Sequence, residues 1–168
     1  MARIYISIGS NIDRERHIRS GIEALNRHFR NLRLSPVYEN PAVGFEGEPF
    51  LNLAAQADSD MSALEVQTCL NRIEEQNGRT RQEAKFSPRT LDLDLLLYDD
   101  QVIEEGKLRL PRKDIEKYAF VLRPLLDLQE DLVNPVNGLA YSQIWETMGN
   151  QEGSLRRVEL ELGQKATV

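Results

Sequence analysis

The chain has 168 residues, of which 40% are hydrophobic and 29% charged, so it can form one globular domain without a disulfide or metal to stabilise it. Its formal net charge of −6 argues against a general nucleic-acid-binding protein, which usually carries a basic excess. No hydrophobic run approaches the roughly 20 residues of a membrane span, the apolar start is too short for a signal peptide, and Cys69 is the only cysteine. We therefore expect a monomeric cytoplasmic protein that binds neither nucleic acid nor membranes.

The first hundred residues alternate between strand and helix patterns. Hydrophobic residues with a period of two predict strands at 4–8, 32–38, 51–57 and 91–98. Spacings of three and four predict helices over 18–29 and 66–78, the second of which begins after a capping box at Ser62 and Glu65. The order strand, helix, strand, strand, helix, strand predicts an α+β fold with a ferredoxin-like βαββαβ core, an antiparallel sheet and helices on one face.

Further elements follow this core. Asp99 and Asp100 are predicted to turn a hairpin into strand segments at 102–103 and 108–110, and helices are predicted around 121–128 and 141–148. We assign residues 1–150 to a single domain. Residues 151–168 form a C-terminal extension in which the alternation at 158–162 predicts one extra edge strand.

The strand at 91–98 carries the clearest chemical signal, because leucines alternate with Asp92 and Asp94. The two carboxylates share one face of the strand, about 6.8 Å apart from Cα to Cα, while the leucines define the other face. A solvated face is one explanation of this pattern and a metal site is the other. Aspartate is disfavoured in strands and like charges on one face repel, so the arrangement is tolerated more easily when a bound cation offsets the charge. With oxygen ligands alone, Mg²⁺ is favoured over zinc.

Two irregular segments flank these elements. Residues 39–49 contain two prolines and two glycines, which is typical of a functional loop. Residues 78–90 contain four cations and one anion, namely Arg79, Arg81, Lys85, Arg89 and Glu83. Arginine side chains suit phosphate oxygens, so this loop beside paired aspartates indicates phosphoryl-type transfer, although a solvated charged loop explains the run equally simply.

At Ser-Pro-Arg-Thr-Leu-Asp-Leu-Asp-Leu-Leu-Leu (87–97) the chain resembles hydroxymethyldihydropterin pyrophosphokinase of folate biosynthesis. The resemblance runs from about residue 4 to residue 144. It includes Ile-Gly-Ser-Asn (8–11), Tyr-Glu-Asn-Pro-Ala-Val-Gly (38–44), Phe-Leu-Asn (50–52), Gly-Arg-Thr-Arg (78–81) and Phe-Val-Leu-Arg-Pro-Leu (120–125).

This resemblance implies transfer of the β,γ-pyrophosphoryl group of ATP to the hydroxymethyl oxygen of a reduced pterin, with release of AMP. It also implies two Mg²⁺ ions held by Asp92 and Asp94, with ATP as the co-substrate, and catalytic charge neutralisation by Arg79 and Arg89. The implied pterin-binding residues are Asn40, Val43, Phe50, Asn52 and Phe120. The implied nucleotide-binding residues are Glu74, Arg81, Phe86, Arg89, Arg109 and Arg112.

The chain departs from the family pattern mainly on the nucleotide side. Phe86-Ser87 replaces the usual Trp-Gly, Arg112-Lys113 replaces His followed by Tyr or Pro, and Tyr118 replaces a basic residue. These departures leave open an alternative, a diverged paralogue that binds a pterin or similar heterocycle with weakened or absent ATP-dependent transfer. A third hypothesis, an acidic module that binds Ca²⁺ or a partner, rests only on the net charge and the aspartates, and it leaves the arginines unexplained.

Overall fold

The computed structural model describes residues 1–41, 47–78, 90–149 and 154–162. The elements in these ranges confirm the predicted ferredoxin-like α+β core. In chain order they are β1 (Ala2–Ser10), α1 (Arg14–His28), β2 (Arg30–Leu34), β3 (Val37–Asn40), β4 (Phe50–Ser59), α2 (Ala63–Gln76), β5 (Asp92–Tyr98), β6 (Ile103–Glu105), β7 (Leu108–Leu110), α3 (Asp114–Lys117), α4 (Ala119–Leu128), α5 (Tyr141–Thr147) and β8 (Arg156–Val158).

The main sheet is antiparallel and has the strand order β5-β1-β4-β3-β8, with β2 also pairing with β4. Strand β1 therefore lies inside the sheet, with β4 on one side and β5 on the other. Residues of β4 and β5 that are far apart in the sequence come close together across β1, and they form the site described below.

Helices α1 and α2 cover one face of the sheet. The alternating isoleucines of β1 are fully buried there, and they pack against the hydrophobic stripes of the two helices, which include Ile18, Ile22, Leu25, Val66, Leu70 and Ile73. The predicted capping box starts α2: the Ser62 hydroxyl accepts a hydrogen bond from the Glu65 amide (3.2 Å), and the Glu65 carboxylate accepts one from the Ser62 amide (3.0 Å).

The added C-terminal helices cover part of the opposite face. Residues of α4 and α5 form a second hydrophobic cluster with Tyr5, Ala54 and Leu96 of the sheet, and its helical members include Leu122, Leu125 and Tyr141. The sheet therefore has helices on both faces, although the two helices of the βαββαβ core share one face as predicted. No helix in the described ranges is long and hydrophobic enough to cross a membrane.

Three local predictions were wrong. Strand β1 does not end at Ile8 but continues to Ser10, and its glycine lies within the ladder. The turn after β5 does not form the hairpin: β6 pairs with β7 around Gly106, whose φ of +59° suits a tight turn, in a separate two-stranded sheet. The C-terminal strand covers Arg156–Val158 rather than 158–162, because its ladder with β3 ends at the Val37–Val158 pair.

Candidate active site

The centre of the candidate site is one row of residues that runs across the sheet. Gly9 of β1 lies opposite Asn52 of β4 on one side and opposite Asp92 of β5 on the other. Directly opposed residues of antiparallel strands project to the same face. Two strand spacings, about 10 Å, separate the strands of Asn52 and Asp92. An amide and a carboxylate are thereby held on one face on either side of a glycine.

Gly9 makes room for this arrangement. A Cβ atom at this position would lie 2.8 Å from Oδ1 of Asn52, closer than real Cβ contacts allow. The sequence pattern predicts that the strand ends before Gly9, and this role of the glycine does not follow from that prediction. A glycine inside an otherwise alternating strand is itself a signal of close approach by another group, and this signal would have identified it.

The predicted pterin side contains two buried amides in contact. Asn52 is 4% exposed and Asn40 is 5% exposed, and the Asn52 amide nitrogen donates a hydrogen bond to the Asn40 side-chain oxygen. The Asn40 amide nitrogen in turn donates to the carbonyl oxygen of Pro41 at 3.2 Å. Each amide therefore has a fixed orientation, which a site that reads the edge of a heterocycle requires.

The two predicted stacking rings belong to the same face of the sheet. Phe50 is half-buried on β4, opposite Asn40 in the ladder and two residues before Asn52. Phe120 lies in the first turn of α4, where its ring stacks on that of Tyr118 with 5.0 Å between centroids and 23° between planes. The structure thus adds Tyr118 to the aromatic surface, where the sequence analysis noted only that it replaces a basic residue.

Asp92 and Asp94 share one face of β5, as the alternation predicted. Both are half-buried, whereas Leu93 and Leu95 between and beyond them are fully buried on the opposite face. Glu74 of α2 is 2% exposed, and its carboxylate accepts a hydrogen bond from the Leu93 amide at 2.8 Å. Glu74 therefore fixes the strand at the point between the two aspartates.

Negative charge accumulates around Asp94. Its pKa is raised to about 8, first because its surroundings hydrate the carboxylate poorly and then because Asp92, Glu74 and Asp114 repel its charge, while Arg112 opposes the shift. The side chain is nevertheless 27% exposed, so a ligand can reach it. Carboxylate oxygens are the ligands that a hard divalent cation prefers, and Asp92 and Asp94 therefore fit Mg²⁺.

The described residues supply only part of a coordination shell. Within the described ranges, no group of three or more His, Cys, Asp or Glu side chains is arranged to hold a metal ion. Mg²⁺ commonly takes one or two carboxylates and completes its octahedron with water and substrate phosphate oxygens. Such a site is expected to bind the cation together with a phosphorylated ligand.

Arg109 lies on β7 and Arg112 shortly after it, and these two arginines, both predicted to bind nucleotide, make different contacts. Arg112 lies with a guanidinium nitrogen 3.5 Å from Oδ1 of Asp94. Arg109 instead donates from one guanidinium nitrogen to the carbonyl oxygens of Gly106 (2.6 Å) and Leu108 (2.9 Å), so its charge is directed to its own hairpin. The structure brings Arg112 to the aspartates and engages Arg109 within its hairpin.

The remaining predicted residues lie outside the described part of the chain. They are Val43, Arg79, Arg81, Phe86 and Arg89. Their roles in binding and catalysis stay predictions.

Comparison with known proteins identifies relatives along most of the chain. The sequence profile described as 7,8-dihydro-6-hydroxymethylpterin-pyrophosphokinase matches residues 5–130. The 2-amino-4-hydroxy-6-hydroxymethyldihydropteridine pyrophosphokinase of Aquifex aeolicus is 35% identical over 81% of this chain and 86% of its own length. The protein of the same name from Bacillus subtilis is 37% identical over 74% of this chain and 76% of its own length.

Solved structures show the same fold. A Plasmodium falciparum HPPK-DHPS crystal structure with pterin and p-hydroxybenzoate superposes with a TM-score of 0.75 at 11% identity, and it covers 95% of this chain. Another, with SDX-DHP, gives a TM-score of 0.72 at 12% identity. The chain spans just under half the length of each of these proteins, 45% and 48% respectively, so the likeness concerns one fold within a longer polypeptide.

Proposed function

We infer that this chain, which belongs to the 7,8-dihydro-6-hydroxymethylpterin-pyrophosphokinase family, is an ATP-dependent pyrophosphokinase of folate biosynthesis. It transfers the pyrophosphoryl group of ATP to the hydroxymethyl group of 6-hydroxymethyl-7,8-dihydropterin and releases AMP. The observation that carries this inference is the row across the sheet, in which Asn52 and Asp92 face the same side on either flank of Gly9.

The reaction needs positioning more than covalent help from the protein. The pterin hydroxyl oxygen forms a bond to the β-phosphorus of ATP, and the bond from that phosphorus to the oxygen bridging the α-phosphorus breaks. AMP leaves with the bridging oxygen, and the hydroxyl proton is lost to solvent. Phosphoryl transfers of this kind are accelerated by alignment of the two substrates and by neutralisation of their charge.

We propose that the pterin lies over the Asn40–Asn52 amide pair. The buried amides would hydrogen-bond to the edge of the heterocycle, and Phe50 and Phe120 would stack against its faces. The backbone groups of Asn40 and Val43 would complete this side of the site. The hydroxymethyl substituent would then point along the row, toward the carboxylates of β5.

We propose that Asp92 and Asp94 anchor two Mg²⁺ ions that arrive with ATP. These ions would neutralise the triphosphate and polarise the β-phosphorus. Glu74 holds β5 in place through the Leu93 amide, and Arg112 adds positive charge beside Asp94. Arg79 and Arg89 would neutralise charge on the migrating group. Arg81, Phe86, Arg89 and Arg112 would contact the nucleotide. Arg109 would do so after leaving the carbonyl oxygens of its hairpin, and Glu74 would act on the nucleotide side through its hold on β5.

The deciding experiment mixes the protein with MgATP and 6-hydroxymethyl-7,8-dihydropterin and measures AMP. We expect AMP in proportion to pterin, with only background release when pterin is omitted. No AMP above that background would reject the activity. Calorimetry then separates the alternative: pterin binding without MgATP binding would support the diverged paralogue, whereas tight MgATP binding would eliminate it.

A further inference from the structure

Arg112 has an unusual position for a residue expected to bind nucleotide, because it already lies on a carboxylate of the metal pair. Its guanidinium is 3.5 Å from Oδ1 of Asp94 and, through Nε, 3.4 Å from Oδ2 of Asp114. Its backbone amide donates to the carbonyl oxygen of Leu96 at 3.0 Å, two residues from Asp94 along β5. The backbone therefore fixes Arg112 beside the strand, and its place next to Asp94 is part of the fold.

The contact is nevertheless loose enough to exchange. In a strong ion pair, arginine forms two short, parallel hydrogen bonds to one carboxylate. Arg112 instead makes one contact of 3.5 Å with Asp94 and one of 3.4 Å with Asp114. The side chain is 37% exposed and is shared between two acidic partners. Moving it from Asp94 toward a ligand would thus break no buried, well-formed interaction.

The Asp94 carboxylate that Arg112 contacts is also one of the two proposed metal anchors. Arg112 makes a single contact with it, between one guanidinium nitrogen and Oδ1 at 3.5 Å, and it divides its charge between Asp94 and Asp114. A divalent cation carries twice the charge of a guanidinium and binds carboxylate oxygens directly, so it would compete effectively with Arg112 for Asp94.

We propose that Arg112 is an exchangeable counter-cation: it contacts Asp94 in the metal-free protein, yields that carboxylate to a divalent cation, and then turns its guanidinium to the phosphates of the nucleotide. A guanidinium and a metal ion repel each other and compete for the same oxygen. Once displaced, arginine is well suited to phosphate because its planar fork matches two phosphate oxygens. This proposal rests on the proposed function, because the displaced side chain needs a triphosphate to contact.

The proposal predicts opposite effects on the two ligands when Arg112 is removed. We expect Arg112→Ala to bind Mn²⁺ about fivefold more tightly than the unchanged protein in the absence of nucleotide, since a competing and repelling charge is gone. We expect the same variant to bind a nonhydrolysable ATP analogue with Mg²⁺ roughly tenfold more weakly, since a charged hydrogen-bonding partner of the phosphates is lost. If Arg112 had only a structural role, its removal would weaken the binding of both ligands or of neither.

The experiment titrates Mn²⁺ by electron paramagnetic resonance and the analogue by calorimetry, with two further variants. Lys113→Ala removes the same charge from the adjacent, exposed residue at the start of α3, and we expect its Mn²⁺ affinity to stay within twofold. Arg112→Lys keeps the charge but loses the planar fork, so we expect Mn²⁺ affinity close to that of the unchanged protein together with weakened analogue binding.

The outcomes separate this proposal from the proposed function. Equal or weaker Mn²⁺ binding by Arg112→Ala would overturn the counter-cation role, even if the unchanged protein releases AMP. Undiminished analogue binding by Arg112→Ala would overturn the second half of the proposal. Tighter Mn²⁺ binding in a protein that releases no AMP would support the exchange at Asp94 and reject the activity instead.

Discussion

The two flanks of β1 are organised in different ways. On the β4 side, Asn40 and Asn52 are neutral, buried and already hydrogen-bonded to each other before any ligand binds. On the β5 side, Asp92 and Asp94 are half-buried, and burial, with a further contribution from acidic neighbours, raises the pKa of Asp94 to about 8. The two amides of the β4 side thus contact each other within the protein, whereas the two carboxyl groups of the β5 side lie where a ligand can reach them.

Stability and function coincide on the β4 side and conflict on the β5 side. Buried amides that are hydrogen-bonded to each other contribute to the fold and to recognition at the same time. Carboxylates that repel one another cost stability, and they are useful only because a cation offsets them. Substitutions on the two sides should therefore differ in their effects. We expect a gain of stability together with a loss of activity only for substitutions of the β5 carboxylates.

The largest expected effect is that of Asp94→Asn. We expect AMP formation to fall at least about 100-fold, since one anchor of the metal and phosphate site is lost. The metal-free variant should unfold a few degrees higher than the unchanged protein at pH 7.5. The raised pKa of Asp94 means that the folded state disfavours its ionised form, which costs stability above the unfolded pKa, and asparagine does not ionise. In a domain of this size each 1 kcal/mol shifts the unfolding temperature by about 2–4 °C.

Asp100→Asn is the matched control for this prediction. It removes the same charge from an exposed residue just beyond the end of β5. We expect its AMP formation and unfolding temperature to match those of the unchanged protein. An Asp94→Asn variant that stays active, or that unfolds at a lower temperature, would contradict the difference between the two flanks.

The sequence predicted the carboxylate flank better than the contacts around it. Alternation within a single strand was enough to place Asp92 and Asp94 on one face, because the pattern is local and its period is two. The contact between Arg112 and Asp94 could not be predicted in this way. It joins residues that are separated by the β6–β7 hairpin, and it exists only because the Arg112 backbone returns to β5.

Gly9 illustrates the same limit on the amide flank. Its neighbours Ser10 and Asn11 are typical of a turn, and the sequence pattern therefore ended the strand too early. Only the pairing of β1 with β4 brings Asn52 over the glycine. Local patterns thus predicted the elements and the order of the core, while the close approaches that shape the site depend on strand pairing between distant segments.

The second expected effect is that of Gly9→Ala, which tests the amide flank. The new Cβ would force the Asn52 side-chain oxygen away from its position, 2.8 Å from the ideal Cβ. We expect the KM for the pterin to rise about tenfold, the size of one lost hydrogen bond, while MgATP affinity stays within twofold. Steady-state kinetics with each substrate varied in turn measures both.

Gly149→Ala is the control, since nothing lies within 4 Å of a Cβ at that position. We expect it to change neither KM. If Gly9→Ala weakened the binding of MgATP as much as that of the pterin, the two sides of β1 would not act separately. The row across the sheet would then act as a single unit.

The smallest expected effect is that of Arg156→Ala, at the outer edge of the amide flank. Arg156 and Arg14 each contact the Glu39 carboxylate at 2.6 Å, and these partners lower the pKa of Glu39 below its usual value. Glu39 precedes Asn40 on β3, and Arg156 belongs to the strand outside the family match. Because Arg156 is 72% exposed, we expect the free energy of unfolding to fall by less than about 1 kcal/mol at pH 7.

The lowered pKa of Glu39 predicts how the stability difference between Arg156→Ala and the unchanged protein depends on pH. A carboxylate whose pKa is lower in the folded state contributes stability above its unfolded pKa, and that contribution is lost as the pH falls through the folded pKa. The difference between Arg156→Ala and the unchanged protein should therefore shrink as the pH is lowered from 7 into the range where Glu39 is protonated. Arg157→Ala, which removes the same charge from the next residue of β8, should lack this acid-dependent convergence. A difference that persists unchanged in acid would assign the role of Arg156 to packing of β8 against β3 rather than to the charge of Glu39.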